Sequence, residues 1–514
     1  MMRRSGCYYC AMRPTVMDEA ERQLRLQAST SGLADRVPLV SARDLVSKGQ
    51  RNLVIGIVFL IAVGLVFSLQ MTLTVVIAFF TMVYVIAVTY RVVLFMRSSK
   101  SDSVEIVSDE EALSVPEVDL PSYTVMIPAY REVSIISKLI HNIAQIDYPV
   151  DRLEVVLLIE EDDEETLEVL RDSDPGLQFK LVLVPAGEPR TKPKALNYGL
   201  TLARGDLVAI FDVEDAPDIL QLRRAAVAFR RFGPEVACLQ AKLSYGNVRQ
   251  NIITRWFTIE YAMWFSFFLP GLVVANAPIP LGGTSNHFRR AALRELGGWD
   301  PYNVTEDCDL GIRMFREGYQ IRILQSVTLE EANSDFVNWV KQRSRWYKGY
   351  LQTFLIHLRS PVEVTNEMGL RGVGHLSAFV GGTPILAIVN PIFWFLTVVW
   401  FVAHPALLLQ IIPAPVYYVS LVLWTFGNFT LWYLTILIAR HTARVGLVLA
   451  GVLVPLYWVM MSIAAVKAGW QLVVTPSFWE KTSHGLTAVS ESPLPMPTRT
   501  EGSRDDQART GSAA

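Results

Sequence analysis

The chain has 514 residues, of which 51% are hydrophobic and 19% are charged. It is too apolar for an ordinary soluble enzyme and too charged to lie wholly in a membrane, so we expect a water-soluble domain joined to several spans. The net charge of -2 gives no electrostatic reason to expect a nucleic-acid partner.

The N-terminal part of the chain predicts a membrane hairpin. Residues 1–50 form a polar segment without the apolar core of a signal peptide, and we expect this segment in the cytoplasm. Residues 51–97 form the predicted hairpin, and its stretch from Leu53 to Phe95 is nearly free of charge and long enough for two spans of about 20 residues, with a break near Ser68. Basic residues lie at both ends of the hairpin, with Arg43, Lys48 and Arg51 at its start and Arg91, Arg97 and Lys100 at its end. The positive-inside rule therefore places both ends of the hairpin in the cytoplasm. We expect the chain to cross the membrane several times, and we expect this membrane to be the plasma membrane.

Residues 98–360 predict a cytoplasmic α/β domain. Apolar, β-branched segments alternate with helical ones, which indicates a parallel, doubly wound sheet. The predicted strands are 123–130, 154–160, 179–185 and 206–212, and the predicted helices are 132–145, 192–204 and 218–232. Ligands bind beyond the carboxyl ends of the strands in such sheets. Segment 256–274 is apolar but carries Glu260, so we interpret it as an interfacial helix.

Residues 361–475 predict further transmembrane and interfacial helices. Segments 384–403 and 416–439 are spans by length and composition, whereas 445–470 carries Pro455 and Lys467 and suits an interfacial or re-entrant element. We therefore favour four spans over five. The segments that follow are a candidate gating element at 476–487 and a disordered tail at 488–514, which is rich in Ser, Pro and charge.

Carboxylates recur at predicted strand ends. Glu132 follows the first strand, Glu160 ends the second, and Asp212 ends the fourth with Glu214 close by. Each one alone is typical of a solvated loop residue. Together at one sheet edge they would repel one another unless cations join them. Such acids beside basic side chains and a divalent ion predict a diphosphate site.

Two further motifs extend this set. Thr305, Glu306 and Asp307 lie in VTEDCD, where Thr305 suits the N-cap of a helix. In KQRSRWYKGY, Gln342, Arg345 and Trp346 have the i, i+3, i+4 spacing of one helix face. A membrane-near helix with snorkelling side chains is the alternative for this face. The chain has neither GxxxxGK[ST] nor GxGxxG after the first strand, which disfavours P-loop and dinucleotide sites.

The motifs IPAYRE, LLIEEDD, TKPKALN, FDVED, GGTSNHFRR, TEDCD and QRSRW, in this order over residues 120–350, resemble membrane-embedded family 2 glycosyltransferases. That group includes the cellulose, chitin and hyaluronan synthases. The resemblance implies a glycosyltransferase-A (Rossmann-like) fold and inverting transfer from a nucleotide sugar, with Mg²⁺ or Mn²⁺ as cofactor. This chain departs from the pattern by having Glu160 where Asp is usual and DVED where DxD is usual.

The resemblance also implies roles for individual residues. Asp307 is the expected catalytic base, in a motif with Thr305 and Glu306, and Asp212 and Glu214 are the expected metal ligands. The acceptor is expected at Trp346, and also at His287 unless that histidine is a packed loop residue. The residues expected to bind the UDP part of the donor are Glu132, Glu160, Lys194, Asp212, Gln342 and Arg345.

Three functions remain open on the sequence. The first is a processive synthase that polymerises a β-linked polysaccharide from a UDP-sugar, UDP-glucose above all, and secretes it across the membrane. The second is single transfer of a sugar to a lipid acceptor of the polyprenyl phosphate or ceramide type. The third is a transporter or scaffold with a degenerate enzyme domain.

Overall fold

The computed structural model describes residues 17–98, 103–171, 178–403, 412–442, 446–476 and 478–480. The predicted tail at 488–514 lies outside the described residues. The same is true of the candidate gating element at 476–487, apart from 476 and 478–480.

The described residues form a sheet domain with helices on both faces and a set of long apolar helices. The strands are β1 (Val104–Glu105), β2 (Tyr123–Ala129), β3 (Leu153–Glu160), β4 (Phe179–Val184), β5 (Leu207–Ile210), β6 (Ala216–Pro217), β7 (Val236–Tyr245), β8 (Asn286–Arg289) and β9 (Gln320–Glu330). The helices up to the end of the sheet are α1 (Glu19–Arg36), α2 (Lys48–Phe67), α3 (Leu69–Ser98), α4 (Asp109–Ser114), α5 (Ile136–Ala144), α6 (Glu164–Arg171), α7 (Lys192–Leu202), α8 (Gln221–Arg230), α9 (Ile252–Met263), α10 (Leu269–Val274), α11 (Arg290–Glu295) and α12 (Glu306–Arg316). The later helices are α13 (Phe336–His357), α14 (Pro361–Leu376), α15 (Gly382–Ala403), α16 (Ala414–His441), α17 (Leu447–Val452) and α18 (Val454–Val474).

The sheet has the order β1-β9-β7-β8-β5-β2-β3-β4, with β6 paired to β9. The four predicted strands, β2 to β5, are present and mutually parallel, as expected. The prediction of a wholly parallel sheet is wrong for two short strands. β8 runs antiparallel between β5 and β7, and β6 runs antiparallel to β9, whereas β7, β9 and β1 run parallel to one another. Strand β8 contains one apolar residue, Phe288, among polar neighbours, so it carries no hydrophobic pattern that sequence reasoning could detect.

Alternate residues of each strand pack on opposite faces of the sheet, which fixes where the helices lie. Val125 and Ile127 of β2 pack in the cluster that contains α5 and α8. Met126, between them, packs in the cluster that contains α7, α10 and α12. Strands covered on both faces in this way are apolar throughout, which is why their sequences are nearly continuous runs of Val, Ile and Leu.

Six helical segments among the described residues are long and apolar enough to span a membrane: Lys48–Phe67, Leu69–Ser98, Ile252–Val274, Pro361–Val402, Ala414–His441 and Val454–Val474. The predicted break near Ser68 is confirmed, since that residue separates α2 from α3. The four spans favoured by the sequence correspond to α2, α3, α15 and α16.

The remaining two candidates contact the sheet domain along their length. Half of the most apolar part of Ile252–Val274 is buried, because Leu269 and Leu272 cover one face of the sheet. Helix α18 lies alongside α13: Tyr457 near its start is 5.1 Å from the ring of Trp339, and Gln352 donates a 2.9 Å hydrogen bond to the carbonyl of Pro476 beyond its end. These contacts favour interfacial positions, and the number of spans stays a prediction.

Candidate active site

One cavity of about 600 Å³ runs from the carboxyl ends of β2, β3 and β5 to the membrane-side helices α3, α15, α16 and α18. All but two of the residues predicted for the site line this cavity. They are Glu132, Glu160, Asp212, Glu214, Thr305, Glu306, Asp307, Gln342, Arg345 and Trp346. Segments far apart in the sequence therefore meet around one space.

Lys192 lies at the centre of the part of the cavity that the acidic residues line, between Asp212 and Asp307. Lys192, at the start of α7, forms an ion pair with Asp212 and donates a 2.8 Å hydrogen bond to the carbonyl of Gly283. A Cβ atom at Gly283 would lie 3.4 Å from Oδ2 of Asp307, so Asp307 faces the same backbone. Burial lowers the pKa of Lys192, but the carboxylates of Asp212 and Glu306 outweigh burial and the net shift is upward. The lysine is therefore cationic at neutral pH.

The first turn of α12 presents two carboxyl groups to the cavity. Burial, and next the neighbouring Asp307, raise the pKa of Glu306 to about 8. Burial also raises the pKa of Asp307 to about 6, against a 2.7 Å hydrogen bond from the backbone N–H of Cys308. A carboxylate with a pKa slightly below neutral is ionised at pH 7 and basic enough to accept a proton from a hydroxyl.

Contacts between α12 and α13 hold these acids against the Gln–Arg–Trp face. Thr305 occupies the predicted N-cap position, but its hydroxyl does not cap the helix. Instead, its side chain packs on Gly349 of α13, where a Cβ atom would lie 2.3 Å from the threonine Oγ1. The backbone N–H of Val304 also donates a 3.1 Å hydrogen bond to Gln352.

We expect Gly349→Ala to lower stability by about 1 to 3 kcal/mol, because the added methyl group forces α13 away from Thr305. The displacement should also reduce turnover, since α13 carries Arg345 and Trp346. Thermal unfolding and turnover of the purified variant test this. Gly374→Ala is the matched control, because a Cβ atom at Gly374 meets nothing within 4 Å. Equal melting temperatures and equal turnover of the two variants would contradict the close packing of Thr305 on Gly349.

Gln342, Arg345 and Trp346 point into the cavity from α13, as their spacing predicts. The side-chain oxygen of Gln342 accepts a 2.9 Å hydrogen bond from Asn333. The guanidinium of Arg345 lies 4.7 Å from the ring centroid of Trp479. Burial lowers the pKa of Arg345, whereas Glu306 and Asp212 oppose this shift, which indicates that the guanidinium is within electrostatic reach of the acids.

A buried ion pair supports Trp346 from behind. The guanidinium of Arg343 lies 4.6 Å from the Trp346 ring centroid and binds both carboxylate oxygens of Glu260, at 2.8 and 2.5 Å. The hydroxyl of Tyr457 donates a 2.6 Å hydrogen bond to the same carboxylate. The acidic residue in the apolar segment 256–274 is thus explained as the partner of an arginine that orients the indole.

His287 does not line the cavity, and its predicted contact with the acceptor is corrected. The ring lies inside the sheet on β8, fully buried, with Nδ1 2.7 Å from the hydroxyl of Tyr123. Burial lowers its pKa to about 3, so it is a neutral packed histidine.

Lys194 does not reach the cavity either, which corrects its predicted contact with the diphosphate. It is fully buried, and its Nζ lies 2.8 Å from the carboxylate of Glu160 and 3.1 Å from the carbonyl of Pro185. Burial raises the pKa of Glu160, and Lys194 opposes this shift. Lys194 therefore positions Glu160, which does line the cavity.

Lys194→Met should lower stability by about 3 to 5 kcal/mol, because it leaves the buried carboxylate of Glu160 without its cation. Adding Glu160→Gln should recover part of the loss, since the amide needs no counter-charge. Denaturant unfolding of the two single variants and the double variant measures this coupling. Additive losses would show that the two side chains act independently.

Sequence reasoning missed several residues of the cavity wall. Glu330 ends β9, and its pKa is raised by burial and then by Asp215 and Glu214. Glu330 ends a strand as Glu160 does. The search for carboxylates at strand ends would therefore have found Glu330 if β9 had been predicted. Arg190 also lines the cavity and donates to the hydroxyl of Tyr130 at 3.0 Å.

The carboxylates suit a divalent ion that is shared with a diphosphate. Among the described residues no three acids, histidines or cysteines are grouped closely enough to enclose a metal. Asp212 and Glu214, however, both line the cavity, and Mg²⁺ is commonly held by one or two carboxylates together with substrate phosphates. The residues present therefore fit an ion whose coordination a diphosphate completes.

Residues 121–349 match the family described as "Glycosyltransferase like family 2". These residues form a family 2 glycosyltransferase domain. The match contains the strand ends, α12 and the QRSRW face of α13, so the cavity belongs to this domain and the apolar helices beside it.

Curated relatives of the glycosyltransferase domain include proteins named as lipid glucosyltransferases and as polysaccharide mannosyltransferases. One is the β-monoglucosyldiacylglycerol synthase of Synechocystis sp., 32% identical over 248 residues, which are 47% of this chain and 50% of that protein. Another is the "Probable glucomannan 4-beta-mannosyltransferase 11" of Arabidopsis thaliana, 25% identical over 264 residues, which are 48% of this chain and 57% of that protein. The chain spans about half the length of the curated relatives it matches.

Among solved structures, the chain is similar to the mannosyltransferase PcManGT of Pyrobaculum calidifontis in complex with GDP-Man and Mn²⁺. The TM-score is 0.48 at 18% identity, covering 77% of this chain and 98% of that one. A likeness of this degree carries no argument about the site.

Proposed function

We propose that the protein is an inverting glycosyltransferase that extends a β-linked polysaccharide from a UDP-sugar, UDP-glucose above all, at the cytoplasmic face of the plasma membrane. The observation that carries this proposal is the single cavity that joins the acidic strand ends, Trp346 and the membrane-side helices. A donor at the acids and an acceptor at the membrane could meet only in such a space.

Asp307 is the proposed catalytic base. Its carboxylate accepts the proton of the acceptor hydroxyl as that oxygen bonds to the anomeric carbon, and the bond from this carbon to the diphosphate breaks on the opposite face. The sugar passes through an oxocarbenium-like state, and the configuration is inverted in a single displacement.

Positive groups around the acids stabilise the diphosphate as it leaves. Arg345 can donate two parallel hydrogen bonds to phosphate oxygens, and Lys192 adds a point charge beside Asp212. A divalent ion held by Asp212 and Glu214 would supply further compensation of this charge when bound.

The acceptor is proposed to stack on Trp346. An indole offers a flat apolar face to a sugar ring and an N–H to a hydroxyl, and Arg343 holds this ring from behind. An acceptor on Trp346 extends naturally towards α3, α15, α16 and α18, where a growing chain would enter the membrane.

Single transfer to a lipid acceptor is the second candidate, because an aromatic stack stands at the membrane-side wall of the cavity. Tyr84 lines it and stacks at 3.7 Å on Trp424, which stacks at 3.8 Å on Phe393. A packed stack at this wall suits an acceptor that enters and leaves from the lipid, whereas a polysaccharide secreted along this path would require the stack to separate.

Product length separates the two candidates. Purified protein in neutral detergent is supplied with radiolabelled UDP-glucose, Mg²⁺ and a membrane lipid extract, and the products are separated by size and digested with linkage-specific glycanases. A long β-linked polymer supports the synthase, and one sugar on a lipid supports single transfer. UDP release with neither product would contradict both.

Removing divalent ions with EDTA should abolish transfer, and added Mg²⁺ or Mn²⁺ should restore it, because Arg345 and Lys192 alone leave part of the diphosphate charge uncompensated. Asp212→Asn should shift the activating metal concentration upward by at least tenfold. Transfer that is unaffected by EDTA would contradict the metal assignment and leave the base assignment intact.

A further inference from the structure

Arg91 is a cationic residue in the membrane-side wall of the cavity. It belongs to α3, about 10 Å from the cytoplasmic end of that helix at the α-helical rise of about 1.5 Å per residue, and it lines the cavity. One terminal nitrogen of its guanidinium donates a 2.8 Å hydrogen bond to the hydroxyl of Thr383 on α15. The other donates a 3.4 Å bond to the carbonyl of Ala87 in its own helix.

The charge of Arg91 has no counter-ion within the part of the chain that the structure describes. Its hydrogen bonds go to a neutral hydroxyl and a neutral carbonyl. Arg343, which lines the same cavity, in contrast forms an ion pair with Glu260 through both of its terminal nitrogens. Placing a guanidinium at membrane depth without an anion costs free energy, and such residues normally mark a binding site or a transport path.

The wall around Arg91 indicates what kind of anion would enter. Apolar side chains of α15, α16 and α18 line the membrane-side wall of the same cavity: Leu386, Ala387, Leu431, Val454 and Met461. Trp346 also lines this cavity, so Arg91 and the proposed acceptor platform face one continuous space. The combination of a cation and apolar walls suits an amphiphile with an alkyl part and a compact anionic head.

We propose that Arg91, held by Thr383, forms a binding site for the phosphate group of a membrane amphiphile. A hydroxyl or phosphate oxygen of this amphiphile bonds to the anomeric carbon as the bond from that carbon to UDP breaks, so the amphiphile is the acceptor in single transfer or the primer on which a chain begins. Phosphate is the preferred head because a guanidinium donates parallel hydrogen bonds to two of its oxygens. The Thr383 hydroxyl accepts from Arg91 and donates to the carbonyl of Phe379 at 2.6 Å, so it holds the guanidinium in place. This inference rests on the proposed function, since it gives a chemical class to the acceptor of the same cavity.

The test is a binding measurement that needs neither donor nor turnover. Full-length protein in dodecyl maltoside is titrated with dodecyl phosphate, and the dissociation constant is obtained from the ligand-dependent rise in Tm. We expect dodecyl phosphate to stabilise the wild type, Arg91→Gln to weaken binding at least tenfold, and Arg91→Lys to retain most of it. Arg97→Gln is the matched control, because it removes a charge from the exposed end of the same helix outside the cavity.

Two further ligands separate the sources of the phosphate. Dodecyl glucoside, which has the alkyl chain without the charge, should give no shift beyond the detergent background. Inorganic phosphate, which has the charge without the chain, should not displace dodecyl phosphate at equal concentration. Equal binding by the wild type and Arg91→Gln, no binding by either, or displacement by inorganic phosphate would overturn the proposal. In those cases Arg91 only ties α3 to α15 through Thr383.

A failure of this test is distinguishable from a failure of the proposed function. If dodecyl phosphate does not bind while UDP-sugar is still converted to a β-linked product, the anion site is wrong and the glycosyltransferase assignment stands. If dodecyl phosphate binds and no UDP-sugar is consumed, the anion site stands and the glycosyltransferase assignment is wrong.

Discussion

Asp307→Asn is expected to lower turnover by about 10² to 10⁴-fold, the usual contribution of a general base, with the affinity for the UDP-sugar changed by no more than a few-fold. The amide keeps the shape of the side chain and can still accept the hydrogen bond from the N–H of Cys308. It cannot accept the proton of the acceptor hydroxyl at neutral pH. Turnover by UDP release and donor affinity by calorimetry, on the same preparation, measure the two effects separately.

Asp309 provides the contrasting control within the same motif. Its carboxylate is fully buried and bound to Arg313 at 2.8 Å and to His357 at 3.1 Å. Asp309→Asn should therefore lower the melting temperature, because it weakens a buried ion pair, while the folded fraction retains the base. Loss of donor affinity in Asp307→Asn, with turnover unchanged per bound donor, would contradict the base assignment.

Trp346→Ala should reduce kcat/KM for the acceptor by about 10 to 100-fold, which corresponds to about 1.4 to 2.7 kcal/mol. The reason is that, in the function we propose, the indole supplies the flat surface on which the acceptor sugar stacks. Slow hydrolysis of the UDP-sugar by water should continue, since the donor side of the cavity is intact. Measuring transfer and hydrolysis in parallel distinguishes a lost acceptor site from general inactivation.

Two further variants serve as comparisons for Trp346→Ala. Trp346→Phe keeps an aromatic face and should retain an intermediate rate. Trp470→Ala removes an indole that is 70% exposed on α18 and lies outside the cavity wall, and it should transfer at the wild-type rate. Equal loss of hydrolysis and transfer in Trp346→Ala would argue that the residue supports the fold and not the acceptor.

Elements with a strong local pattern could be predicted from the sequence. Strands β2 to β5 are continuous apolar runs separated by turn and helix signals, and their residue ranges agree with the structure to within a few positions. The Gln342–Arg345–Trp346 face follows directly from helical periodicity. The longer strands β7 and β9 are absent from the sequence-based prediction. The antiparallel strand β8 could not be predicted, because four residues with one apolar side chain give no detectable period.

Side-chain directions that depend on the start of a helix could not be predicted. Lys192 and Lys194 are separated by two positions, which is about 200° around a helix, so only one of them can face the cavity. Because α7 begins at Lys192, that residue meets Asp212 and Lys194 turns back towards Glu160. The motif alone does not reveal which lysine lies on which side. Likewise, the partner of Glu260 is an arginine 83 residues later in the chain, a contact that no local pattern encodes.

The central claim is that donor and acceptor meet in the one cavity and react with inversion, and the anomeric configuration of the product tests it most directly. Purified full-length protein should convert UDP-glucose into equal amounts of UDP and β-linked glucosyl product, and Asp307→Asn should form both about 10² to 10⁴-fold more slowly. An α-linked product, or no UDP from UDP-glucose, UDP-N-acetylglucosamine or GDP-mannose under the same conditions, would contradict the account.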